Sequence, residues 1–146
     1  MIRIRQLIAR LRSDRRGAAA IEFALIGPAM ITMLFGVLQV GIALQNYNAL
    51  RSASADVARY AVVQYQRKQD PNAQALANYA KSTTTLAPYG LKAERLVIVI
   101  NDKASTMTGV TEREMVMSYA IPSFMGIIGM DDIHISYTRP IFLITN

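Results

Sequence analysis

The sequence predicts an α+β protein: a long N-terminal membrane-spanning helix, a second helix, then a small antiparallel sheet of about three strands. Three observations predict it. The 28 positions between Glu22 and Arg51 hold no charged residue. Apolar residues keep a helical spacing well past that gap. Beyond Gly90 their period falls from 3.6 to 2, the change from helix to half-buried strand. At 146 residues the chain has room for one small domain and an appendage.

Charge is unevenly spread. The formal net charge is +6, and residues 1–17 hold six arginines against Asp14 alone, a net of +5. The pI of about 9.9 therefore reflects a basic leader, read as a positive-inside topology signal rather than a nucleic-acid surface. No nucleic-acid partner is expected. The absence of cysteine excludes a disulfide framework, CxxC redox chemistry and thiolate metal sites.

Within residues 1–17, Ile4, Leu7, Ile8 and Leu11 recur at helical spacing among the arginines, the pattern of a segment lying on an anionic inner surface. Gly17 interrupts it. Residues 18–44 are the membrane-spanning half of the long helix, with Glu22, Thr32 and Gln39 as the strongly polar exceptions. The run exceeds the ~20 residues that a bilayer requires. Pro28 predicts a kink through a lost backbone hydrogen bond, which membrane helices tolerate. Gly27, Gly36 and Gly41 do not form GxxxG, so no specific helix-dimer motif follows.

With the arginines ahead of the span, the N-terminus is expected in the cytoplasm and residues from about 45 onward outside. A secretory signal peptide competes with this reading, but its apolar core should be only about 7–15 residues. Ala18-Ala19-Ala20 precedes the apolar run, and Gly41-Ile42-Ala43 is the one tempting small-x-small site after it.

Residues 45–69 continue the helix as an amphipathic, extracytoplasmic stalk. Leu50, Ala53, Val57, Tyr60, Ala61, Gln64 and Tyr65 form one stripe, and Arg51, Asp56, Arg59 and Arg67 lie mostly off it. A single helix from about 18 to 67 would be ~75 Å long. Residues 70–146 form a small α+β domain. Lys68 to Asn72 is a turn, with Asp70 or Pro71 opening a second helix over Ala73 to about Leu86 that faces Leu76, Ala77, Ala80 and Thr84 inward. Pro88-Tyr89-Gly90 ends it.

Leu96 to Ile100 is a β-branched run and reads as a buried strand, followed by a polar loop from Asn101 to Gly109. From Glu114 to Ile121, the residues Met115, Met117, Tyr119 and Ile121 alternate with Val116, Ser118 and Ala120. Ile133 to Thr138 alternates again, and Pro140 places that strand at an edge or bulge, with Ile141–Thr145 extending it. Short loops predict an antiparallel meander covered on one face by the helices. The connection Pro122 to Met130 is unusually apolar for a loop. It is read either as a flap over the end of the sheet or as an exposed patch for a partner subunit or the membrane surface, with Phe124, Met125, Ile127 and Ile128 as candidate contacts.

Catalytic chemistry has no constellation to rest on. The single histidine, His134, has no cysteine to join it in a metal site, and no GxGxxG, Walker loop or GxSxG is present. Asp131-Asp132 and Glu112/Glu114 read as loop acids at strand ends. No enzyme activity, cofactor, metal or small-molecule substrate is expected.

Glu22 is different, because an acid inside a membrane helix is a functional hypothesis by default. Gly17-Ala18-Ala19-Ala20-Ile21-Glu22-Phe23 resembles the processing site of type IV pilin-like precursors. The wider run from Arg16 to Pro28, with Asn48-Ala49-Leu50 and Ala58-Arg59-Tyr60-Ala61-Val62, resembles TadE-like proteins, minor pilins or pseudopilins of the Tad pilus system. The resemblance covers about residues 15–63. It implies cleavage by a prepilin peptidase between Gly17 and Ala18, and a charge pair between Glu22 of one subunit and the new Ala18 amine of a neighbour. The implied partners are that peptidase, other pilin-like subunits, the Tad assembly machinery and membrane lipid. The implied location is the bacterial inner membrane, single-pass, with a periplasmic C-terminal domain or a place in the extracellular pilus. The bland alternative for Glu22 is an acid tolerated near the headgroups by the helix dipole. The rival for the whole chain is an uncleaved single-pass accessory subunit of a secretion or envelope complex; a periplasmic enzyme or ligand-binding module on an anchor is a third class.

Overall fold

The structure, a computed structural model, describes residues 16–124, 126 and 129–144. The leader segment before Arg16 and the loop residues Met125, Ile127 and Ile128 lie outside the described residues. The order of elements is helix α1 (Arg16–Gln66), helix α2 (Ala73–Thr85), a 3-10 turn at Ala93–Arg95, and strands β1 (Leu96–Lys103), β2 (Val110–Ile121) and β3 (Ile133–Ile144). This is the α+β arrangement that the sequence predicts. The chain divides into two compact units, one ending at Leu38 and the other beginning at Gln39.

The first unit is helical from Arg16, and the helix continues through Pro28. Ile21, Phe23, Leu25, Ile31, Met33 and Leu34 all stand exposed, and they fall on every side of the helix. Such a helix needs an apolar solvent around it. It is long and apolar enough to cross a bilayer, as a single-pass membrane protein requires. The Thr32 hydroxyl donates to the Pro28 carbonyl at 2.8 Å, which satisfies a polar side chain without leaving the helix.

The second unit packs the rest of α1 and all of α2 against one face of the sheet. The stripe expected on α1 is the one buried: Leu50, Ala53, Val57 and Ala61 are fully enclosed. The helix ends in a Schellman motif, with the Gln69 N–H donating to Gln64 O at 3.0 Å and the Lys68 N–H to Tyr65 O at 2.9 Å. Lys68 takes the left-handed position usually given to glycine. The next helix is opened by Asn72, not by Asp70 or Pro71: its side-chain oxygen accepts from the Ala75 N–H at 2.8 Å. Leu76, Ala80 and Thr84 face inward from α2.

The sheet order is β1-β2-β3, antiparallel throughout. Met115, Met117, Tyr119 and Ile121 form the buried row of the central strand, as the alternation predicts. Strands β1 and β2 run longer than their apolar patterns. The β1–β2 ladder extends through Asp102 opposite Arg113 and Lys103 opposite Glu112, where opposite charges replace apolar contact. Residues 101–103 are therefore strand and not loop, and β2 starts at Val110 and not at Glu114. Pro140 sits opposite Glu114 in β3, an edge strand, where a residue lacking an N–H loses no ladder bond on its open side.

Candidate functional site

Two places in the chain gather polar residues that packing alone does not explain. On α1, Gly17, Ala18, Glu22 and Pro28 lie on one continuous helix. Glu22 is exposed, flanked by exposed Ile21 and Phe23. Ala18 and Glu22 are four positions apart, so they share a helix face. Among the described residues, none forms an ion pair with Glu22. An acid in this setting gains most from a cation brought within a few ångströms in low dielectric.

The second place lies in the other unit, where the β2–β3 loop meets α1. Gln39 is only 4% exposed although it belongs to the apolar run. Its amide spans the loop: Nε2 donates to the Pro122 carbonyl at 3.1 Å, and Oε1 accepts from the Phe124 N–H at 3.1 Å. Of the four expected contact residues, Phe124 is described and half exposed; Met125, Ile127 and Ile128 are not among the described residues. At the loop's far end, Asp132 accepts from the Ser123 N–H at 3.1 Å and pairs with Arg95 at 3.1 Å. The Ser123 N–H foremost, and the Arg95 guanidinium after it, hold the Asp132 carboxyl below its ordinary value of 3.8, against some loss of hydration.

A pH prediction follows. With the folded pKa lowered, the contribution of Asp132 is complete above 3.8 and fades as pH falls through the lower folded value. Hydrogen-exchange protection of the Ser123 amide, corrected for its intrinsic rate, should fall across that acid range. In Asp132→Ala the step should be absent; an unchanged step there would remove Asp132 as its cause.

Elsewhere in the domain, polar groups tie elements together. The Arg113 guanidinium, on the helix-covered face of β2, donates to Asp102 at 2.7 Å, to Asp70 at 3.1 Å and to the Pro71 carbonyl at 2.7 Å. Arg139 donates to the Ser54 hydroxyl at 2.9 Å and lies over the Tyr137 ring. Tyr89 donates to Asp56 at 2.6 Å, which pushes the phenol above its ordinary value. Sequence reasoning missed Gln39, Arg113, Ser54 and Arg139. The Asp131–His134 stretch borders an open recess with Ser123 and Met130. Among the described residues no group of three His, Asp or Glu side chains is placed to hold a metal.

A comparison with curated proteins finds no match, and a comparison with solved structures finds none either. The family model described as TadE-like protein matches residues 17–59. That stretch holds Gly17, Ala18, Glu22, Pro28 and Gln39 and runs to the Ala58-Arg59 pair, and over it this chain is similar to TadE-like proteins.

Proposed function

We propose that this chain is a minor pilin or pseudopilin of a Tad-type pilus, a structural subunit and not an enzyme. It is made with a basic leader, and a prepilin peptidase cuts between Gly17 and Ala18. The mature helix packs with other pilin-like helices over Ala18–Tyr65, and Glu22 of one subunit pairs with the Ala18 amine of the next. The domain from about residue 70 lies on the periplasmic side or in the filament, where it helps start or regulate assembly for surface attachment.

One observation carries the reading: a single acid, five positions after a glycine, on an apolar helix exposed on every side, within the stretch that matches the TadE-like model. A soluble core helix would bury those apolar residues, and a plain anchor has no use for the acid. The TadE-like match supports partners among pilus subunits and their machinery.

The mature N-terminus tests it. Mass spectrometry of protein from cells with and without the peptidase should find a chain beginning at Ala18 only where the peptidase is present. A chain retaining residues 1–17 in both would favour the uncleaved accessory subunit. A cut near Ala43 would make the domain a secreted soluble protein and end the argument from Glu22.

A further inference from the structure

We infer that the β2–β3 loop is a membrane-contacting ledge: Gln39 clamps it at the level of the outer leaflet, so that Phe124 and Met130 rest in the lipid interface beside the helix. This rests on the reading of α1 as a membrane span.

The depth follows from residues of the second unit alone. The apolar run of α1 ends at Leu44, and Gln45 and Asn46 begin the polar stalk. Gln39 lies five residues before that end, ~7 Å along the axis at 1.5 Å per residue. The backbone at Pro122 and Phe124 is fastened to Gln39 by two hydrogen bonds of 3.1 Å, so that part of the loop sits at the depth of Gln39. The interfacial layer on each side of the hydrocarbon core is about 5–8 Å thick, which matches that offset. Both the helix and the loop present exposed apolar side chains near this level. Val40 and Leu44 are exposed on the helix, and Phe124 is 51% and Met130 54% exposed on the loop. Tyr47 packs edge-on against Tyr137, with ring centroids 5.8 Å apart, less than one turn beyond Leu44, where amphipathic rings favour the headgroups.

Gln39 itself fits this depth. A glutamine facing lipid would strand an amide, but here both ends of the amide are satisfied by loop backbone. In return the Pro122 C=O and Phe124 N–H are satisfied at a depth where little water reaches. Charge decides what kind of lipid surface is met. Asp131, Asp132 and Glu94 outnumber Arg95 beside the loop, so the contact is with the apolar–headgroup boundary of zwitterionic lipid and not with anionic headgroups.

The chain contains no tryptophan, which permits a direct test with a single introduced probe. Full-length Phe124→Trp would be reconstituted in phosphatidylcholine vesicles, with and without bromine on the acyl chains near the headgroup. Its emission should be blue-shifted and quenched about twofold by the shallow bromines, as for a ring 5–10 Å into the boundary. Leu34→Trp, within the span, should be quenched by deep bromines; Met107→Trp, exposed in the β1–β2 connection at the opposite end of the sheet, should not be quenched. Water-like, unquenched emission from Phe124→Trp beside a quenched Leu34→Trp would overturn the ledge and leave the loop to a protein partner, with the span intact. Unquenched emission from both would overturn the span and the ledge together.

Discussion

Replacing Glu22 with alanine should leave cleavage after Gly17 intact while pilus assembly falls by about 150- to 4,000-fold, the factor that the 3–5 kcal/mol for breaking a buried charge pair represents. The two halves of this expectation have opposite physical origins. Glu22 stands exposed on an apolar helix, where a carboxylate costs up to about 2.5–3.5 kcal/mol at the bilayer centre and less near the edge. Removing it relieves that cost, so the precursor should insert and meet the peptidase at least as well as before. Assembly moves the other way. On the proposed reading, cleavage would free an ammonium at Ala18, with an ordinary pKa near 7.7–8.0, and a subunit lacking Glu22 would leave its neighbour's amine unpaired in lipid. Glu22→Gln keeps the shape without the charge and should fail almost as badly; Glu22→Asp, one methylene shorter, should recover part of the loss. Counts of surface pili alongside the mature mass of the subunit read both halves. Normal piliation by Glu22→Ala would remove the charge pair and leave Glu22 as an acid tolerated near the headgroups.

The features legible in the sequence are those in which burial repeats at the period of the backbone. The Leu50, Ala53, Val57, Ala61 stripe and the Met115, Met117, Tyr119, Ile121 row were each read from spacing alone, and each is buried. Strand ends were less legible, because charge pairs and not apolar residues carry the ladder past Ile100 and before Glu114. Gln39 was illegible for a different reason. Its partners are a peptide C=O and N–H more than 80 positions away, and backbone groups leave no mark in a sequence. Arg113 did carry a signal. It looks like a solvated charge between Glu112 and Glu114, yet it has the parity of Met115 and Met117, and a period of two puts it on the covered face. The motif from Gly17 to Glu22 was found by resemblance, since helix periodicity says nothing of a peptidase.

That parity makes Arg113 the residue whose loss should most damage the domain. Arg113→Ala should lower its stability by about 2–4 kcal/mol, a large share of the 5–15 kcal/mol typical of a domain. Arg113 is 6% exposed, and its guanidinium joins three segments: Asp102 at the end of β1, Asp70 in the turn after α1, and the Pro71 carbonyl just before the Asn72 cap. Burial of the cation works against its charge, but the Asp102 and Asp70 carboxylates outweigh it and hold its pKa above the ordinary arginine value. The side chain therefore stays charged at every working pH. The Asp70 and Asp102 side chains are 55% and 71% exposed, so water reclaims them when the arginine is gone, and the ion-pair share must be discounted for screening. The larger losses are the packed stem and the unpaired Pro71 carbonyl. Arg113→Met keeps the stem and should recover about half of the deficit; Arg113→Lys keeps the charge but cannot reach three acceptors at once. Chemical denaturation of the full chain in detergent would measure the order, with hydrogen exchange over residues 67–72 reporting the turn. If Arg113→Ala matched the unsubstituted protein in both, the turn would be held by the Schellman motif and the Asn72 cap alone, and Arg113 would be a strand-end charge after all.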